Sequence, residues 1–200
     1  MKKPGRSKVL KNIKTSQNKM NKIKSFFEVA EVEDKDGTLV VLDIDDTILY
    51  YDGVTRQWWR DTSNEVFQSC YTFYSAASEL NKRWETEIAN KSPLHTDEEG
   101  LRNLLATYRC IFLTARAEME VQTQKEFKHL GIPFKSVYFC GDENKGTVLS
   151  EILLQQEREV EHVIFIDDKM HNCDNVEEAM KRKGIRCNIY LFEHNVADIV

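Results

Sequence analysis

The run Thr38-Leu39-Val40-Val41-Leu42 ends abruptly in Asp43-Ile44-Asp45-Asp46-Thr47, and this boundary constrains the fold more than any other stretch. A short, continuously apolar, β-branched run fits a strand covered on both faces, as in a parallel sheet. Carboxylates at the end of such a strand are costly to desolvate unless a cation or hydrogen bonds compensate them. The segment therefore reads in two ways. It is either an acidic turn closing a strand, where Asp is an ordinary residue, or a site built for a metal ion and a phosphoryl group.

The rest of the chain repeats the theme. Apolar runs at 109–113, 136–140, 162–166 and 186–192 predict four further strands. Helical spacing predicts helices at 63–90, 97–107, 117–130, 145–159 and 173–183, with Gly131 and Gly184 as helix stops. Within the first of these, Val66, Phe67, Phe73, Tyr74 and Trp84 form the expected inward stripe. Strands alternating with helices imply an α/β fold: a doubly wound, Rossmann-like parallel sheet covered on both faces. Residues 50–61, with the Asp52-Gly53 turn signal, are expected to form a flap. The span 50–108 then holds that flap and at most a small helical cap insertion.

Charge divides the chain unevenly. Residues 1–24 carry nine Lys and Arg and no acid, although the whole chain has a net charge of −5. This predicts a basic N-terminal arm at 1–24 ahead of one domain at 25–200. The arm is either a solvated tail or a contact for an anionic membrane; no specific nucleic-acid binding is expected. Five cysteines, odd in number and without a C-x-x-C pair, argue against a disulfide framework or a zinc site. They point to a reducing, cytoplasmic setting. No apolar run approaches the roughly 20 residues of a membrane span, and no apolar signal segment stands at the N-terminus.

In a sheet of this kind ligands bind beyond the carboxyl ends of the strands, so the residues at those ends matter most. They are Asp43, Asp45 and Thr47; then Thr114 and Arg116; then Gly141 to Gly146, which includes Lys145; and finally Asp167-Asp168. Taken singly, Asp167-Asp168 fits a helix N-terminus, Thr114 a helix cap and Lys145 a solvated surface residue. The ordered set carries more weight than any member.

In that order the chain resembles the haloacid dehalogenase-like (HAD) superfamily of aspartate-nucleophile phosphatases. The match runs through Asp43-Ile44-Asp45-Asp46-Thr47, Thr114, Lys145 and Asp167-Asp168, over residues 38–192. Leu42 to Thr47 and Ile166-Asp167-Asp168-Lys169 are also similar to a poorly characterised branch from intracellular bacteria such as Legionella and chlamydiae. The resemblance implies a Mg²⁺-dependent phosphomonoesterase working through an aspartyl-phosphate. Asp43 is then the nucleophile, Asp45 the general acid–base group, Thr114 a phosphoryl-oxygen donor and Lys145 the charge-balancing cation. Mg²⁺ is held by Asp43, the backbone carbonyl of Asp45 and Asp167. Asp168 supports from behind, orienting Lys145 or a water of the ion's shell, and Thr47 fixes the loop through its hydroxyl. The physical logic is that a doubly anionic ester accepts a carboxylate nucleophile only after its charge is offset by a hard cation.

An Asp at position 45 favours phosphatase over dehalogenase chemistry. The order of motifs disfavours a receiver domain, in which the lysine comes last; a non-catalytic scaffold is the remaining rival. A small cap leaves the site open, which in similar proteins accompanies phosphoprotein substrates. Trp58, Trp59 and Arg60 then either stack on an aromatic phosphoester such as phosphotyrosine or pack the flap on the body. A small-metabolite or nucleotide phosphate is the alternative substrate. An effector delivered to a host cytosol is compatible with the same features. Arg116, pairing with phosphate or with Glu118, stays open, as do His171 and Asn172.

Overall fold

Every residue of β2 (Thr38–Leu42) is buried, as a strand covered on both faces must be. A computed structural model describes residues 20–54, 56–88, 91–116 and 119–193. Before β2 lie β1 (Asn21–Ile23) and a 3-10 turn at Phe26–Glu28, closed by the Ser25/Glu28 capping box. After it come β3 (Leu49–Tyr50), α1 (Arg56–Ser69), α2 (Phe73–Arg83) with a π-helical stretch Trp84–Ile88, β4 (Leu94–His95) and α3 (Glu98–Thr107). The remainder alternates: β5 (Arg109–Thr114), α4 (Glu120–Leu130), β6 (Val137–Phe139), α5 (Lys145–Leu154), β7 (His162–Asp167), α6 (Met170–Lys183) and β8 (Arg186–Phe192).

The main sheet is parallel, in the order β1-β8-β7-β2-β5-β6. The expected α/β, doubly wound, Rossmann-like architecture is thus the observed one. From β2 the chain steps outward through β5 and β6, then returns to the other side for β7 and β8. Its direction reverses around β2, which makes the carboxyl end of β2 the natural ligand site. Alternate β2 residues serve two cores, as a period of two requires. Val40 and Leu42 join Phe112, Phe127, Leu101, Leu104 and Trp84 on one face; Leu39 and Val41 join Leu149, Ile152, Val176 and Met180 of α5 and α6 on the other.

Several elements differ from the sequence reading. Residues 63–90 are not one helix, because Cys70-Tyr71-Thr72 separates α1 from α2. Thr72 N donates to Ser75 Oγ (3.2 Å) and Ser75 N to Thr72 Oγ1 (3.1 Å), a reciprocal cap that starts a new helix. Phe67, expected inward, is exposed, whereas Val66 and Trp84 are buried; Phe73 and Tyr74 lie in α2, but their side chains fall outside the described residues. Within the stretch 50–61 expected to form a flap, β3 pairs antiparallel with β4 and α1 is under way by Arg56. Trp58 and Trp59 therefore sit in a helix, and Trp58 is half-buried against the core. Strand β1 pairs with β8 inside the stretch assigned to the basic arm; residues 1–19 lie outside the described residues. Among the described residues, no helix is long and apolar enough to cross a membrane.

Candidate active site

Asp43 leaves β2 with its backbone N–H still in the sheet, donating to Ile166 O of β7 at 3.0 Å. Its side chain thereby lies next to the end of β7, where Asp167 and Asp168 follow. All three aspartates are buried, and one carboxylate oxygen from each lies within 4.8 Å of the others. Lys145, the first residue of α5, reaches in from the next layer. Its Nζ donates to Asp43 Oδ1 at 2.5 Å and to Asp167 Oδ2 at 2.7 Å, and its side chain is 2% exposed.

Local structure explains these positions. Asn144 caps α5 by accepting from Gly146 N and Thr147 N (2.8 and 3.2 Å), which fixes where Lys145 starts. Gly146 lets α5 approach α6: an added Cβ would sit 2.4 Å from Asn175 O. Asp167 is held by Asn172 Nδ2 (3.0 and 3.1 Å) and by Lys169 N (2.8 Å). Asn172, whose role the sequence left open, therefore orients the acidic loop; His171 is exposed. Asp46 turns the chain with φ 59°, a left-handed conformation that Asp tolerates better than most residues, and its N–H donates to Leu49 O at 2.8 Å. Thr47 does not fix this loop through its hydroxyl as expected: buried Oγ1 has no hydrogen-bond partner among the described residues. Its carbonyl is held instead, accepting from Thr96 Oγ1 at 2.5 Å.

Electrostatics show the strain of the cluster. Burial holds the Asp43 carboxyl well above the ordinary range; Lys145 opposes this, while Asp167 and Asp168 reinforce it. Lys145 stays charged, because Asp43 and Asp167 outweigh the desolvation that alone would lower its pKa. Three buried carboxylates thus stand together, and one buried lysine bonds to two of them, Asp43 and Asp167. Lys169 is also held above the lysine range; desolvation opposes this, but Asp43, Asp168, Asp45 and Asp167 outweigh it. Three hard oxygen donors this close together fit a small divalent ion such as Mg²⁺. Beside the cluster lies a cavity of about 490 Å³ lined by Asp168, Lys169, Met170, His171, Asp174 and Leu191.

Asp45 and Thr114 stand to one side. Thr114, buried at the end of β5, accepts through Oγ1 from Arg116 N at 3.2 Å. Arg116 clamps Asp45, its Nε donating to Oδ2 (2.8 Å) and its Nη2 to Oδ1 (2.7 Å). Burial alone would raise the Asp45 pKa, but the charge and bonds of Arg116 hold it below the usual carboxylate range. Arg116 Nη1 also donates to Thr123 Oγ1 (2.9 Å) and to Glu126. Glu118 lies outside the described residues, so pairing with it is not among the contacts seen. Sequence reading placed neither Glu126 nor Lys169 at the site; adjacency to Asp167-Asp168 was the available signal for Lys169.

Comparison with known proteins adds the following. A family described as "Protein of unknown function (DUF2608)" matches residues 135–198. No curated protein is significantly similar in sequence. Among solved structures, a haloacid dehalogenase-like family hydrolase from Xanthomonas campestris is 12% identical with a TM-score of 0.47, covering 82% of this chain and 87% of its own. The HAD domain of the effector protein Lem4 from Legionella pneumophila, an inactive mutant, is 10% identical with a TM-score of 0.45, covering 81% and 88%.

Proposed function

We propose that the protein is a HAD-type hydrolase: a Mg²⁺-dependent phosphomonoesterase that works through an aspartyl-phosphate. The observation that carries this reading is the buried Asp43–Lys145–Asp167 bridge, with Asp168 beside it, at the sheet's reversal point. Asp43, Asp167 and the Asp45 carbonyl would hold the ion, which supplies charge neutralisation for the phosphoryl group. In the first step an Asp43 oxygen bonds to phosphorus as the ester P–O bond breaks, and Asp45, released from Arg116 and having taken up a proton from solvent, passes it to the departing oxygen. In the second, Asp45 takes a proton from water as water displaces Asp43 and releases phosphate. Lys145 offsets charge on the nucleophile and the transferring group, and Thr114 donates to a phosphoryl oxygen. Asp168, placed with the other two carboxylates, completes the acidic cluster.

For substrate we propose a phosphoprotein, with phosphotyrosine as one candidate. Trp58 packing against the core lends no support to aromatic stacking by that residue. A small-metabolite or nucleotide phosphate is the alternative substrate; the cavity beside Lys169 is lined by Asp168 but by none of Asp43, Asp45, Thr114 or Lys145 and does not decide between the two. A cytoplasmic setting, in the producing cell or in a host cell entered as an effector, and membrane contact through the arm complete the proposal; five free cysteines fit a reducing compartment. The test is hydrolysis of 4-nitrophenyl phosphate with and without Mg²⁺, then a phosphopeptide set against a metabolite panel. Activity that needs Mg²⁺ and disappears in Asp43→Asn is expected. No turnover with Mg²⁺ present would sink the reading.

A further inference from the structure

We infer that Arg116 is a positioning residue for proton transfer, holding Asp45 with one edge of its guanidinium while Glu126 permanently holds the other. The inference rests on the phosphatase reading above.

Arg116 is buried between two carboxylates on different elements, Asp45 after β2 and Glu126 on α4. Both Asp45 oxygens accept from the guanidinium. With both oxygens engaged in this way Asp45 cannot face a leaving group, so at least one of these bonds must break before Asp45 acts on the ester. The surroundings are built for that event. Without Asp45, Arg116 still donates to Glu126 and Thr123, and its Cζ lies 6.0 Å from the centroid of the Trp84 ring. Glu126 is itself fixed by the Tyr51 hydroxyl and by Gln122 Nε2 at 3.0 Å.

A purely structural ion pair accounts poorly for this arrangement. One buried cation needs one buried anion, and a second carboxylate adds desolvation cost that packing does not return. Exposure separates the two partners: the Glu126 side chain is 1% exposed and that of Asp45 is 29%. Glu126 is the resident counter-ion, and Asp45 is the exchangeable one. When Asp45 swings away, the guanidinium stays compensated and in place to recapture it. Tyr51 follows β3 and Trp84 opens the π-helical stretch, so the segment between β3 and β4 adds to the brace that α4 gives Arg116.

The test compares two esters of similar shape, phenyl phosphate and 4-nitrophenyl phosphate, with Mg²⁺. Phenolate needs a proton as it leaves far more than nitrophenolate does. Arg116→Gln is expected to lower kcat on phenyl phosphate by about 10- to 100-fold and on the nitrophenyl ester by less than about 3-fold, with KM little changed. Tyr51→Phe, which touches neither Asp45 nor the ester, should show the same bias at about 3-fold. It decides the matter alone if Arg116→Gln does not fold. Equal losses on both esters, or no loss on either, overturn the inference. Wild-type protein that hydrolyses neither ester overturns the phosphatase reading and the inference together.

Discussion

Replacing Gly146 with alanine sets two effects of opposite sign against each other. Gly146 is the second residue of α5, and helix propensity favours alanine by up to about 1 kcal/mol. Packing opposes it. The new Cβ would lie 2.4 Å from Asn175 O and 2.9 Å from both Asn175 C and Ala179 Cβ. Two of these atoms are backbone, and no rotamer change moves them. Restoring ordinary contact, from 2.4 to 3.4 Å, requires the two helices to part by about 1 Å. Overpacking of this kind costs roughly 1–3 kcal/mol, and rigid neighbours place it at the upper end. The net effect is a loss of about 2 kcal/mol, or roughly 4–8 °C in Tm for a domain of this size. Lys145 is the adjacent residue, and a 1 Å shift away would stretch its 2.5 and 2.7 Å contacts beyond hydrogen-bond length. Misplacement on that scale costs up to about 100-fold in rate. Thermal unfolding followed by circular dichroism and turnover of 4-nitrophenyl phosphate read the two effects. An unchanged or raised Tm would show that α5 and α6 do not meet here as described.

Three further outcomes are expected. Asp43→Asn removes one charge from the buried acidic cluster, so it should raise Tm in metal-free buffer while abolishing both turnover and the Tm gain from added Mg²⁺; a Mg²⁺-induced gain equal to wild type would place the ion elsewhere. Asp97→Ala removes the α3 cap to Gly100 N (3.0 Å) and the acceptor for Ser25 Oγ and Phe26 N (2.6 and 2.8 Å). It should cost about 2–3 kcal/mol in urea unfolding, and a loss below about 0.5 kcal/mol would contradict that role. Burial lowers the His162 pKa from 6.5, with Arg186 adding to it and a bond to Asn188 opposing. The unfolded chain therefore takes up this proton first. Stability from neutral His162 is complete above pH 6.5 and falls as pH drops toward the folded-state pKa. His162→Gln should flatten that part of the pH–stability curve, and an identical slope in the two proteins would count against it.

What the sequence revealed and what it hid divide along a physical line. Strands β2, β5, β7 and β8 were legible because a buried parallel strand writes its burial into consecutive residues. Asp43, Lys145, Asp167 and Asp168 were legible because each stands where a strand ends or a helix begins, so position along the chain implied position in space. The split between α1 and α2 was missed because apolar spacing ran through Cys70-Tyr71-Thr72, while the cap that breaks the helix lies in two small hydroxyl side chains. Strand β1 was missed because three residues with one apolar side chain carry no period; its pairing partner is β8, almost the whole chain away. Arg116 marks the limit most clearly. Its two partners are 71 and 10 residues away, and neither spacing belongs to a local motif. Asp45 stands in a recognisable motif, whereas Glu126 stands in helix α4 with no motif around it. Chain-local patterns name the candidate groups at the strand ends. The contacts around Arg116 join Glu126 in α4 to Tyr51 after β3 and Trp84 after α2, and only the fold brings those together.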